Sequence, residues 1–350
     1  MIWTTWRQHR AEAIVGAVIV AAIGAAMVVV GTIARTRSRT LGVPACLRSR
    51  ADCTDALGQL HNFFHTIPPF TGALIALPLL AGMFWAAPLV SREYEAGTHR
   101  LAWTQSVGPL RWITVKIGLI FGLVAVAALT LGLLATWALD PLTAAFGGRY
   151  NSTWYDVQGI VPLACMLFAL SVGVATSALI RRTVPAMAVT LLVYAAARIP
   201  VHWIRPHFAP LTTRTLAVPL STLLQSPGGN PQDAFASSVP LGAWVQHVAV
   251  TDPSGGLVSR TRVSMDLLTR YCPDLQPINA TSTNTPPRIS AADAAACRPH
   301  LQGLSLHETI SYQPASHFWL LQTVESAVFL VLAALLVTAA VLAVTHRRPT

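Results

Sequence analysis

Six long stretches of this chain are nearly free of charge, and they constrain its fold more than any other feature. Ala13 to Ala34 is a run of 22 residues without Asp, Glu, Lys or Arg. About 20 apolar residues in a helix cross the hydrocarbon of a bilayer. A cleaved signal peptide has a shorter apolar core, roughly 7–15 residues, and then a small-residue cleavage site. Here Arg35, Arg37 and Arg39 follow instead, so the run reads as a retained helix. The later runs are Ile67 to Val90, Ile117 to Leu139, about Gly159 to Ile180, Val184 to Ile204 and about Phe318 to Val344. Pro68, Pro69, Pro78 and Pro88 fall in the second. Neighbouring helices re-satisfy a broken backbone inside a membrane, so these prolines predict kinks rather than an end to the span. The expected fold is an all-α integral membrane protein with six transmembrane helices.

Residues 205–317 separate the fifth span from the sixth. They are rich in Pro, Ser, Thr and Asn and contain no spanning run, so they read as a small domain outside the bilayer. Ahead of the first span, Trp3 and Trp6 lie three apart with Arg7 and Arg10 beside them. That pattern suits an amphipathic helix anchored at headgroup level. The expected organisation is an interfacial helix over 1–12, five spans over 13–204, the inserted domain over 205–317, a sixth span over 318–345 and a tail over 346–350. No internal repeat is visible.

Charge excludes other classes. Only 11% of the residues are charged, against roughly 25% in a soluble domain. The 24 basic and 14 acidic residues leave +10, but the excess is scattered between apolar runs and forms no stripe, which argues against a nucleic-acid partner. Lys116 is the sole lysine, between Val115 and Ile117. A phosphate-binding P-loop needs Gly-Lys-Ser/Thr, so this chain does not bind nucleotides that way.

Six spans put both termini on one side. With the amino terminus cytoplasmic, the inner segments hold ten basic residues (Arg7, Arg10, Arg92, Arg100, Arg111, Lys116, Arg181, Arg182, Arg347, Arg348), and the short outer loops hold six (Arg35, Arg37, Arg39, Arg48, Arg50, Arg149). The positive-inside rule favours that orientation. Cysteines agree. Cys46 and Cys53 lie in the first loop and Cys272 and Cys297 in the long insertion, all on the oxidising face under this topology. Cys46–Cys53 and Cys272–Cys297 bridges are therefore expected, with Cys165 a buried small hydrophobe.

The loop after the second span reads Ser91-Arg92-Glu93-Tyr94-Glu95-Ala96-Gly97-Thr98-His99-Arg100-Leu101, followed by Ser106, Pro109, Arg111 and Lys116. Arg92 to Glu95 suit a short charged helix, Gly97 its end and Pro109 the restart of the chain. The bland reading is a solvated hairpin. The pattern Arg-Glu-x-Glu-x-Gly-Thr-x-x-Leu, then Ser-x-x-Pro-x-Arg and a Lys in the next helix, resembles the corresponding loop of ABC-2 type transporter permeases. The stretches Trp3 to Arg10, Leu79 to Gln105 and Tyr312 to Trp319 are also similar to that family, in particular to a type V-like exporter subgroup common in actinobacteria.

The resemblance implies a permease with a connecting helix over 1–12 and a cytoplasmic coupling helix at about 91–106. It implies that Arg92, Glu93, Glu95, Gly97 and Thr98 contact a separate ABC ATP-binding subunit, present in two copies and holding the ATP and Mg. It also implies a second permease copy, expected as a homodimer, in the plasma membrane with both termini cytoplasmic. The long insertion departs from simpler members, in which that region is short. Ala17, Ala21 and Ala25 recur every four residues on the first span, a spacing that permits close helix approach.

Within the membrane, Glu325 lies in the sixth run one turn after Gln322, and Arg198 lies near the end of the fifth, with His202 beside it. Glu325, Gln322 and Arg198 are candidates for a translocation path or gate; pairing of Glu325 with Arg198, or its reach to outer headgroups, is the alternative. No catalytic or metal-binding residue is expected. His61 and His65 have zinc-helix spacing without the following glutamate, and His307-Glu308 lacks a second histidine four residues on. Two other classes compete with an exporter permease: a membrane-anchored sensor or assembly factor whose outer domain binds a ligand, and an ion-driven carrier, which an internal repeat would favour.

Overall fold

The computed structural model describes residues 2–49, 53–64, 67–97, 108–217, 239–240, 242–251, 256–259, 299 and 307–346. Its helices are α1 (Ile2–Thr40), α2 (Val43–Ser49), α3 (Thr54–Phe64), α4 (Ile67–Ala81), α5 (Ala87–Glu95), α6 (Pro109–Leu139), α7 (Ser152–Tyr155), α8 (Val161–Ile180), α9 (Thr183–Ile204) and α10 (Phe318–His346). Six segments among them are long and apolar enough to cross a membrane: Ala13–Thr40, Leu74–Glu95, Leu110–Leu142, Val161–Ile180, Thr183–His207 and Ala315–His346. We number these spans one to six. The chain divides into two compact units, one of residues 1–146, 151–208 and 319–350, the other of 147–150 and 209–318.

In the first unit, span four is the axis. Of its 20 residues, 14 are buried, because span two, span three and span five all pack on it. Small residues set the closest crossing. A Cβ added to Gly173 would lie 2.4 Å from the Gly82 carbonyl oxygen, and one added to Gly82 would lie 2.6 Å from that of Ala169. Only glycine admits backbones this close. Span two bends where it meets this surface: Pro78 interrupts α4, and Gly82–Ala86 is a π-helical turn before α5. Proline removes one rung of the hydrogen-bond ladder, and the widened turn re-sets the phase of the residues that follow. Isoleucines, valines and leucines on spans one, three, five and six face outwards, as they must where lipid is the solvent.

Residues 2–12 continue into span one without a break, so the expected interfacial helix and the first span are one element of 39 residues. The side chains of Trp3, Trp6 and Arg7 lie outside the described residues; Arg10 is exposed. Cys46, on α2, is joined to Cys53, just before α3, with Cα atoms 5.9 Å apart. α3 is amphipathic, and its Leu60 and Phe64 pack with Leu142, Phe146 and Trp154. His61 stacks on Phe146 at 4.5 Å and its Nδ1 lies 3.2 Å from the Ala145 carbonyl oxygen, an ordinary packing role.

The second unit corrects the all-α expectation. It contains β1 (Thr212–Ala217), β2 (Trp244–Thr251), β3 (Leu257–Ser259) and β4 (His307–Gln313) in one antiparallel sheet of order β1-β4-β2-β3. β4 is central; Ile310 pairs with Arg214 on one side and Val248 on the other. Glu308, Ile310 and Tyr312 are buried while His307 is exposed, the two-residue period of a strand with one face covered. Tyr150 stacks on Trp244 and donates its hydroxyl proton to the Pro314 carbonyl oxygen at 2.9 Å. Burial pushes that phenol above its ordinary titration range. Cys272 and Cys297 lie outside the described residues.

Candidate functional site

Two polar clusters mark the two ends of span four. Its 20 residues rise about 30 Å, which is the thickness of the hydrocarbon layer, so the clusters bracket the apolar zone.

The first cluster gathers where span four begins. Asp156 lies in the turn ahead of α8, Arg198 near the end of α9, Arg205 in the 3-10 turn that follows, and Glu325 on the third turn of α10. Arg198 donates to Glu325 Oε1 at 2.5 Å and lies 2.6 Å from Asp156 Oδ1. Arg205 donates from Nε to Glu325 Oε2 at 2.8 Å, from its terminal nitrogen to Glu325 Oε1 at 3.0 Å, and also to Asp156. Its guanidinium sits 4.1 Å from the Tyr155 ring centroid. Two cations and two carboxylates sum to zero. Each pair gains about 4 kcal/mol at an effective dielectric of 20, set against several kcal/mol of desolvation per ion. The balance is near even while every member is present, and strongly unfavourable once one is missing.

Gln322 lies one turn before Glu325 and is fully buried. Its Oε1 accepts from the backbone N–H of Ile160 at 3.1 Å and of Val161 at 3.0 Å, and its Nε2 donates to the Tyr155 carbonyl oxygen at 3.1 Å. The sixth span thereby caps the fourth, a task that no side chain at position 160 performs. Beside the cluster is a cavity of about 40 Å³ lined by Asp156, Arg198, Tyr194 and Cys165 together with apolar residues including Pro78 and Met166. That volume accommodates roughly three waters.

The second cluster forms where span four ends. Residues 91–95 are the last turns of α5, hence of span two, and Gly97, at φ +68°, terminates them. Arg92 and Glu95 are exposed, Glu93 and Tyr94 half-buried. Thr98 and the rest of the expected coupling helix, to residue 106, lie outside the described residues. Glu93 pairs with Lys116 of α6, whose ammonium also lies 4.6 Å from the Trp112 ring centroid. Glu95 accepts from the Thr183 N–H at 2.9 Å and from its hydroxyl at 2.7 Å. Ser91 Oγ lies 3.0 Å from Thr183 Oγ1, and the Ser91 N–H donates to Ser177 Oγ at 3.1 Å. Arg181 takes the left-handed conformation that closes α8, φ +58°, and sits over the Tyr94 ring at 4.9 Å.

Of the residues expected from sequence, the structure brings Arg198 and Glu325 together, with Gln322 a turn away. It adds Asp156 and Arg205, which sequence reasoning missed. A signal existed: Arg198 and Arg205 are seven apart, two helical turns, and so share a face. Among the described residues no group of three or more His, Cys, Asp or Glu side chains could hold a metal ion. A family described as ABC-2 membrane transporter related matches residues 17–205. No curated protein and no solved structure matches the chain.

Proposed function

Because the chain belongs to the ABC-2 membrane transporter related family, we propose that it is the permease subunit of an ATP-driven exporter, a homodimer served by two copies of a separate ATP-binding subunit. The family match spans five of the six membrane-crossing segments, and membership makes the chain a multi-pass membrane permease rather than an enzyme. Nucleotide chemistry then belongs to the partner, with its own ATP and Mg, in agreement with a single lysine outside any P-loop.

The observation that carries the reading is the anchoring of the end of span two. Residues 91–95 bond to α6 and α9 through the Glu93 and Glu95 side chains and to α8 through the Ser91 backbone N–H, so a push on the loop carrying Arg92, Glu93, Glu95, Gly97 and Thr98 is felt by four spans at once. A solvated hairpin has no need of such bonds. The bridge between Cys46 and Cys53 supports the opposite end of the bundle as the oxidising face. The termini and this loop are then cytoplasmic, in the plasma membrane, and residues 205–317 are extracellular. Glu325 and Arg198 lie at the outer end of the path, where cargo leaves past the cavity beside Asp156.

The test is a photo-reactive amino acid in place of Thr98 in the co-expressed complex. Crosslinking to the ATP-binding subunit is expected. Labelling of position 98 by a membrane-impermeant reagent added outside intact cells would overturn the orientation and the transport reading together. Stable insertion without capture of any ATP-binding subunit would favour the alternative, a membrane-anchored sensor whose outer domain binds a ligand.

A further inference from the structure

Span five begins without a cap of its own. The first backbone N–H groups of a helix have no intrahelical partner. Arg182, the preceding residue, is extended at φ −128°, ψ 130°, and makes no side-chain cap; a guanidinium has no acceptor to offer. Pro185 has no N–H, and the Ala186 N–H already reaches the Arg182 carbonyl oxygen at 3.1 Å. Thr183 is capped from elsewhere. Glu95, 88 residues earlier in the chain and on a different span, accepts both its N–H and its hydroxyl, while Ser91 contacts the same hydroxyl. A carboxylate there also complements the positive end of the helix dipole.

We infer that Glu95 is a positioning residue that ties the loop after span two to the start of span five, and that it is not a contact for the ATP-binding subunit. The inference rests on the transport reading above and revises one role that the family resemblance implied. Both oxygens of Glu95 are directed into this chain, at 2.9 Å and 2.7 Å from Thr183 atoms. Glu93 is spent likewise on Lys116. Movement of the loop therefore reaches span three through Glu93 and span five through Glu95. Span five is the one that ends at the outer charge cluster, with Arg198 and Arg205.

The experiment compares Glu95→Ala with Glu95→Gln in the full complex in detergent. Gln keeps an acceptor for the Thr183 N–H and a donor for its hydroxyl; Ala keeps neither. The first readout is co-purification of the ATP-binding subunit, expected unchanged in both variants. The second places a cysteine at Trp203, which is exposed near the far end of span five, and compares its alkylation rate without nucleotide and with ATP plus orthovanadate. The nucleotide-dependent difference is expected in the wild-type background and in Glu95→Gln, and lost in Glu95→Ala. The third is amide exchange at Thr183, expected about fivefold faster in Glu95→Ala, in line with loss of one capping bond.

Failure of both variants to capture the ATP-binding subunit would make Glu95 a direct contact and overturn the inference. So would an Ala variant that keeps the nucleotide-dependent difference at position 203. A wild-type chain that captures no ATP-binding subunit overturns the transport reading instead. The capping role is then judged on exchange alone, and unchanged protection of Thr183 in Glu95→Ala overturns it.

Discussion

Gln322 Oε1 lies 3.0 Å from the backbone nitrogen of Val161, so a side chain of the sixth span closes the amino-terminal end of the fourth. The two spans are far apart in sequence, and the fourth is the most buried of the six. A buried N–H without a partner costs about 1–3 kcal/mol, and two depend on this oxygen. Gln322→Leu is therefore expected to lower the detergent denaturation temperature clearly. Gln322→Glu keeps the acceptor, but it loses the donation to Tyr155 and adds a buried negative charge one turn from Glu325, so it is expected to lower it as well. Equal stability of the Leu variant and the wild type, followed by fluorescence-detected size exclusion, would remove the capping role.

The charge cluster at the start of span four makes a different prediction, because its members matter mainly when unmatched. Arg205 is the largest charged side chain that is fully buried among the described residues, and it touches both carboxylates. Arg205→Met leaves Asp156 and Glu325 to share Arg198. Deleting one partner of a buried ion pair costs about 3–5 kcal/mol. Removing the opposite charge as well, in Arg205→Met with Glu325→Gln, restores neutrality around Asp156 and Arg198. The double variant is expected to be more stable than the sum of the single losses implies. Additive losses in the same thermal assay would mean that the four charges are independent.

What the sequence reveals depends on how a constraint is written into it. The thickness of a bilayer forces long uncharged runs, so all six spans are legible from composition alone. Arg198 and Glu325 stand out because they interrupt such runs. Asp156 and Arg205 do not, since each lies just beyond an apolar stretch, where charge is ordinary. The sheet escaped because β4 places Glu308 on its buried face together with Ile310 and Tyr312, which disguises the alternation that signals a strand. The Glu95–Thr183 bond is illegible for another reason: it joins residues 88 apart through helix packing that no local pattern encodes.

Close packing gives the third prediction. A side chain at Gly173 would meet the Gly82 carbonyl oxygen at 2.4 Å and the Ala86 Cβ at 2.7 Å, neither of which can move without shifting span two. Gly173→Ala is expected to reduce the yield of monodisperse protein sharply. Gly122→Ala, on α6, is the control, because nothing lies within 4 Å of the added Cβ. Alanine in a helix interior is favoured over glycine by about 0.5–1 kcal/mol, so the control should match or exceed the wild type. Similar yields of the two variants would show that spans two and four do not cross at these glycines.

The Cys46–Cys53 bridge tests fold and orientation together. It closes a short loop, at a sequence separation of 7, and chain-entropy reasoning assigns such a closure about 2–3 kcal/mol. Cys46→Ser with Cys53→Ser should destabilise the protein by that order. In membranes prepared without reductant, neither thiol should take up a maleimide, and Cys165 should stay unlabelled because it is buried. A membrane-impermeant phosphine added to intact cells should then release the Cys46 and Cys53 thiols for labelling, since their bridge faces outwards in the orientation we propose. If Cys46 and Cys53 label without any reduction, the loop sits on the reducing side. The cytoplasmic assignment of the Arg92–Thr98 loop, which follows the next span, would invert with it.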